Sequence, residues 1–215
     1  MNGMKKILAF VLVLALTLGL AAVSFAADSP SVGPEYDPTT GVVTEKIPGA
    51  VVKAQVEEKK LLSVQADDSK KATISTLIDQ YGKTFLVTTI GDGKKGVLAS
   101  TDGRKITTLT TSADLESITF AKAALKGSKV KKLVIKGKKV TFAAGAFKGT
   151  KEKSLKIYLK GVKKASQVKI AKGALAGLGA KAKIIVSAKQ MSEKQYQKLV
   201  DKIFKAGFKG SVVRK

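Results

Sequence analysis

Three ten-residue segments align without a gap in the second half of the 215-residue chain: ITFAKAALKG from Ile118, VTFAAGAFKG from Val140 and VKIAKGALAG from Val168. A fainter fourth, VTTIGDGKKG from Val87, shares the placing of Ile90 and Gly93. The matched residues Ile90, Phe120, Phe142 and Ile170 are 30, 22 and 28 residues apart. Self-similarity at such a period constrains the fold strongly, because a unit this short cannot bury its apolar side alone and must lay it against the next. Between the decapeptides lie KITTLTT near Ile106, KKLVIKG near Leu133, SLKIYLKG near Ile157 and, after the last, AKIIVS near Ile184. Alternation of this kind is the signature of a half-buried strand. Each unit therefore predicts one strand, one loop and one apolar plug.

Ahead of these units, residues 27–41 (ADSPSVGPEYDPTTG) hold three of the four prolines and show no hydrophobic period, which predicts a flexible leader. From Val42 to about Val64 the chain is apolar in short bursts broken at Pro48-Gly49 and at 57–60. Two short strands and a turn are expected there, with KAQVEEKKLL open to a helical reading. ATISTLI and KTFLVTTI, joined through residues 79–82, predict a hairpin that closes the first unit. Near the other end Ser192 and Gln195 have capping-box spacing, Tyr196, Leu199, Val200, Ile203 and Phe204 follow at helical spacing, and Gly207 supplies a stop. A terminal unit would otherwise expose an apolar face, so this helix is expected to act as a lid. GDGKKG at Gly91 lacks the Ser or Thr of a phosphate loop and reads as a turn, as does Asp102-Gly103.

The sequence has no histidine and no cysteine. That removes Ser/His and Cys/His nucleophile pairs, the commonest general base, the usual zinc ligands and every disulfide. No catalytic residue, metal or cofactor is expected. Carboxylate chemistry is the alternative that survives: Glu57 with Glu58, or Asp67 with Asp68, in an enzyme acting on cell-wall polymers. Adjacent residues diverge on strands and on helices alike, so solvated turns are the expectation for both pairs.

Charge is divided unevenly along the chain. Residues 27–120 carry 11 Lys and Arg against 13 Asp and Glu, a net of −2; residues 121–215 carry 27 against only Glu152, Glu193 and Asp201, a net of +24. Such a block implies a polyanionic neighbour. Nucleic acid is disfavoured, since the basic half has Tyr158, Tyr196, Phe142, Phe147, Phe204 and Phe208 as its aromatics and most of them fall at core positions.

Alternation also sorts the later strands into two faces. With Leu133, Ile135, Ile157, Leu159, Ile184 and Val186 inward, the outward rows are Lys132, Lys156 and Lys183; Val134, Tyr158 and Ile185; and Lys136, Lys160 and Ser187. In a parallel stack each row is a ladder with about 4.8 Å between strands. Like charges at that spacing repel by somewhat under about 1 kcal/mol in water, and by less once salt screens them. A regularly spaced polyanion would turn the repulsion into attraction, while the row of Tyr158 packs on a sugar or peptide face. Lys132, Val134, Lys136, Lys156, Tyr158, Lys160, Lys183 and Ile185 are accordingly the candidate ligand-binding face. Keeping an exposed sheet soluble is the other role open to these lysines.

The strand VKKLVIKG, the apolar pair and the Ala-Phe-Lys-Gly ending together resemble the BspA-type leucine-rich repeat of bacterial surface proteins, over residues 81–215. The resemblance implies a mainly β fold with a C-terminal helix. Its parts would be a small β-containing N-terminal region (42–80), a short leucine-rich-repeat-like solenoid (81–191), and a capping helix and tail (192–215). It also implies that Leu125, Phe147 and Leu175 are plugs dropping into the interior, and a non-catalytic binding or scaffold role of adhesion type, while the charge block points to an anionic cell-wall polymer as partner, an extracellular protein or glycan being the other candidate. Departures from the family pattern predict an irregular stack of about four turns. Lys136, Lys160 and Ser187 stand where a proline often follows the strand, Lys94 and Lys95 replace the first Ala-Phe, and about six extra residues lie between Gly149 and Val168.

The beginning of the chain, MNGMKKILAFVLVLALTLGLAAVSFA, places Lys5 and Lys6 before an apolar run, with small residues Ser24 and Ala26 at the minus 3 and minus 1 positions of a cleavage site. This is the pattern of a Sec-type signal peptide over residues 1–26, and it predicts a secreted or cell-wall-associated protein. No second apolar segment of membrane-spanning length follows it. An uncleaved anchor is the competing reading. N-terminal sequencing of the exported protein should start at Ala27; a membrane-bound product that keeps Met1 or Met4 would establish the anchor instead.

Overall fold

The computed structural model describes residues 33–187 and 191–215, so the signal segment and residues 27–32 lie outside it. The described chain is mainly β. Its strands are β1 (Glu35–Asp37), β2 (Val42–Ile47), β3 (Ala50–Gln55), β4 (Lys60–Ala66), β5 (Lys71–Ile74), β6 (Thr76–Ile78), β7 (Thr84–Leu86), β8 (Thr89–Ile90), β9 (Thr108–Thr111), β10 (Ser117–Phe120), β11 (Lys132–Ile135), β12 (Lys139–Phe142), β13 (Lys156–Leu159), β14 (Val168–Ile170), β15 (Lys183–Val186) and β16 (Ser211–Arg214). One α-helix, α1 (Glu193–Lys205), falls between β15 and β16.

Strands are dealt alternately to two sheets. β8, β10, β12 and β14 pair in parallel, in that order, within an eight-stranded sheet; β5, β9, β11, β13, β15 and β16 make a six-stranded one, parallel throughout. Each decapeptide thus opens with a strand of its own. That corrects the expectation of one strand per unit: the ITF, VTF and VKI openings, taken for parts of the plug segments, are extended because neighbours supply the backbone partners. Register is as the sequence matching requires, with Phe120 opposite both Ile90 and Phe142, and Phe142 opposite Ile170.

Strands on the two sides of residues 80 and 81 pair with one another. β2, β3 and β4 form an antiparallel meander, three strands rather than two, and β4 then pairs in parallel with β8 while β5 pairs in parallel with β9. Pro48-Gly49 makes the first turn, with Gly49 at φ +82°. The segment KAQVEEKKLL, open to a helical reading, is instead a strand, a turn and a strand. A bulge opposite Lys53 and Ala54 shifts the β4 register and leaves Leu61 and Val64, three apart in sequence, both facing inward. The leader is shorter than expected too. Its Glu35–Asp37 segment is an edge strand on β2, an arrangement that needs main-chain bonds and no hydrophobic period. Asp37 then closes the following turn by accepting bonds from the Thr39 N–H (2.9 Å) and the Thr40 hydroxyl (2.7 Å). The expected hairpin is present, β6 against β7.

One continuous apolar core runs through residues 43–208. Phe120, Phe142 and Phe147 are fully buried and meet at ring-centroid distances of 5.3–6.4 Å, in the range where tilted aromatic pairs attract beyond simple burial. The plugs Leu125, Phe147 and Leu175 are buried, as are Leu133, Ile135, Ile157, Leu159, Ile184 and Val186. Neighbouring layers come close enough to exclude side chains at specific points: a Cβ on Gly161 would lie 2.0 Å from the Lys136 carbonyl oxygen, and one on Gly137 2.3 Å from that of Leu115. Each glycine stands two residues beyond the last residue of a strand, after the exposed Lys136 in one case and Lys160 in the other. Within this core Ser128 Oγ and Thr150 Oγ1 are buried with no hydrogen-bond partner among the described residues.

Helix α1 buries Leu199 and Ile203, and Gly207 ends it at φ +89°. The capping box is not formed. Ser192 makes no side-chain cap bond, and Gln195 Oε1 instead accepts the Ala165 N–H (3.0 Å). Phe204 is 47% exposed rather than in the core, while Phe208 takes the buried place. After the helix the tail returns as β16, added to β15.

Two substitutions probe this core. Phe147→Ala should cost about 3–5 kcal/mol in urea unfolding, and a loss below about 1 kcal/mol would mean the plug is misassigned. Thr150→Val keeps the volume and removes an unpaired buried hydroxyl, so it should hold or raise stability by up to about 1–2 kcal/mol; a clear loss would mean that the hydroxyl has a partner.

Candidate functional site

The outward face of the six-stranded sheet carries the residues expected from alternation. Lys132 lies opposite Lys156, and Lys156 opposite Lys183, all three exposed. The column continues as Thr108 and Lys71 on one side and as Ser211 on the other. A second column runs along the far ends of the strands: Lys136, Lys160, Ser187 and Lys215, held in line because the N–H groups of Lys160, Ser187 and Lys215 donate to Ile135, Leu159 and Val186 respectively. Four residues of extended chain separate the two columns, about 13 Å.

Between the columns runs the row Thr73, Thr110, Val134, Tyr158, Ile185 and Val213. Here the expectation needs correction. Val134 and Ile185 are only 7% exposed, so they floor the face and do not offer contact surface. The reason is steric, since short branched side chains in register with Tyr158 and flanked by lysine stems lie below their neighbours. Lys132 shows the geometry, its Nζ sitting 5.1 Å from the centre of the Tyr158 ring. Such a contact is worth about 0.5–1 kcal/mol at an exposed site, and it fixes the ring.

On the β15 side of Tyr158 the face dips into a hollow of about 420 Å³ lined by Tyr158, Leu159, Lys160, Ile185, Ser187 and Lys215. Lys215 belongs to this site through β16, a strand the sequence did not announce: SVVR is too short for a period and follows a helix stop. β16 is itself tied down. The Arg214 guanidinium pairs with Glu193, donates to the Met191 carbonyl (2.6 Å) and lies 5.5 Å from the Tyr196 ring centre. Tyr196 in turn donates to the Val212 carbonyl (3.4 Å), and burial, with Glu193 nearby, pushes its phenol pKa up.

Other charged groups are spent on structure. Lys202 donates to the carbonyls of Ala165 (2.8 Å) and Val168 (3.1 Å), fastening α1 to the chain ahead of β14. Glu57 and Glu58 stand in the turn after β3, and Asp67 and Asp68 in the bend after β4. Glu58 pairs with Lys60, and Asp67 with Lys46. Asp92, in the GDGKKG segment, accepts the N–H groups of Lys94 (2.8 Å) and Lys95 (3.0 Å), the geometry of a turn. No described helix is long and apolar enough to cross a membrane.

Comparison with protein-family models, curated proteins and solved structures gives no match to this chain.

Proposed function

We propose that this chain is an exported, non-catalytic binding protein of the bacterial cell exterior, and that the lysine-bearing face of its six-stranded sheet takes an anionic wall polymer. The observation that carries this reading is the register of Lys132, Lys156 and Lys183 on three adjacent parallel strands. Lysines at a repeating spacing of about 4.8 Å hold positive charge in a row that only a multivalent anion can match along its length. The surplus of basic residues over residues 121–215 adds long-range attraction.

The alternation of short parallel strands between two sheets supports reading β8–β15 as turns of a short BspA-like leucine-rich-repeat solenoid, with α1 and β16 as its C-terminal cap. That architecture suits adhesion or scaffolding, since a stack of turns presents one extended surface. The charged leader and apolar run of residues 1–26 support export.

Replacing Lys132, Lys156 and Lys183 together with Gln tests the reading. Folding should survive, because none of the three is buried. Affinity for a teichoic acid, a phosphodiester polymer, should fall, and the slope of log affinity against log salt should become shallower by about 2–3. The exposed helix lysines Lys194, Lys198 and Lys205 provide the control triple and should matter less. Equal losses from both triples would mean that diffuse charge alone acts, and no binding by the parent protein at moderate salt would leave the lysines a solubilising role.

A further inference from the structure

A row of lysines explains attraction to any polyanion, but it does not explain the hollow beside Tyr158. Its volume, about 420 Å³, is within the range of about 300–1,000 Å³ in which clefts hold small organic groups. Its lining is mixed in an ordered way. Ile185 lies at its floor, Tyr158 brings a ring and a hydroxyl, Ser187 a second hydroxyl, and Lys160 and Lys215 positive charge.

The phenol ring is presented by its neighbours. Lys132 reaches over the Tyr158 ring from β11 and is not among the residues that line the hollow, so its ammonium leaves the β15 side of the ring to the cavity. A ring fixed in this way loses little freedom when a ligand packs on it. A phosphodiester chain would satisfy the lysines but has no flat apolar surface to lay on the Tyr158 ring. A pyranose ring has one: its C–H faces are apolar and its rim is hydroxylated. A carboxylate on that ring would meet Lys160 and Lys215.

We infer that the hollow beside Tyr158 is a subsite for a carboxylated sugar ring, so that the polymer preferred by this face is built from acidic sugars; the inference rests on the binding role proposed above. The lysine columns then hold the charges of successive residues of the polymer, and the hollow reads one ring among them.

Polygalacturonate, a polymer of a carboxylated hexose, and a teichoic acid matched in number of charges separate ring recognition from charge. The parent protein should prefer polygalacturonate. Tyr158→Ala should weaken polygalacturonate binding about fivefold to tenfold while changing teichoic acid binding less than about twofold, and Tyr158→Phe should keep most of the preference. Melting curves of each variant exclude unfolding, and Tyr158→Leu replaces the alanine variant if that one does not fold. Equal affinity of the parent for the two polymers, or an equal loss for both in a folded Tyr158 variant, overturns the subsite and leaves the lysine face standing. Failure of the parent to bind either polymer overturns both.

Discussion

The in-register parallel pairing of short strands is the constraint from which the rest of this structure follows. Each strand has four or fewer residues from β8 to β15, too few to persist alone, and each is extended because neighbouring strands accept and donate its main-chain bonds, on both sides for all but β14 at the sheet edge. Register places Ile90, Phe120, Phe142 and Ile170 in one row and Leu133, Ile157 and Ile184 in another, so a single hydrogen-bonding pattern builds two walls of the core. The same pattern sets the lysines in columns. Close approach of the layers is what leaves room only for hydrogen at Gly137 and Gly161.

Parallel stacks have ends, and this one is finished by different means on its two sides. At the N-terminal side an antiparallel meander, β2 to β4, continues the eight-stranded sheet and covers the first parallel strand, with Glu45 accepting the Ile78 N–H (2.7 Å) to tie the β6-β7 hairpin to it. Burial raises the pKa of that carboxyl, and the bond from Ile78 opposes the rise. At the C-terminal side α1 covers the last layer and then returns β16 to the sheet edge, where Arg214 and Tyr196 fasten it. Lys202 and Gln195 complete the attachment through main-chain groups around Ala165. Polar side chains therefore do the joining at the margins, and packing does it within.

Much of this was legible in the residues, and the limits have physical causes. Alternation in KKLVIKG, SLKIYLKG and AKIIVS marked strands and correctly divided inward from outward side chains, because a half-buried strand writes its burial into every second residue. The decapeptide openings, β1 and β16 were missed, since their extended form is imposed by partners distant in sequence. Gln195 has the spacing of a capping residue but finds the Ala165 N–H instead, a competition settled only by tertiary contact. On the candidate face, alternation could say that Val134 and Ile185 point outward. It could not say that Tyr158 and the lysines beside them would leave them nearly covered.

The division between the two sides of the six-stranded sheet has a consequence for how such a chain can diverge. Residues that hold the fold point inward or are glycines pressed against a neighbouring layer, and substitution there is costly. Lys132, Lys156, Lys160 and Lys183 stand on the other side and are exposed. Selection can therefore rewrite the outward columns residue by residue, exchanging charge for hydroxyl or ring, while the scaffold that spaces them stays as it is. A surface of this construction separates heritable change in what is bound from change in how the chain folds.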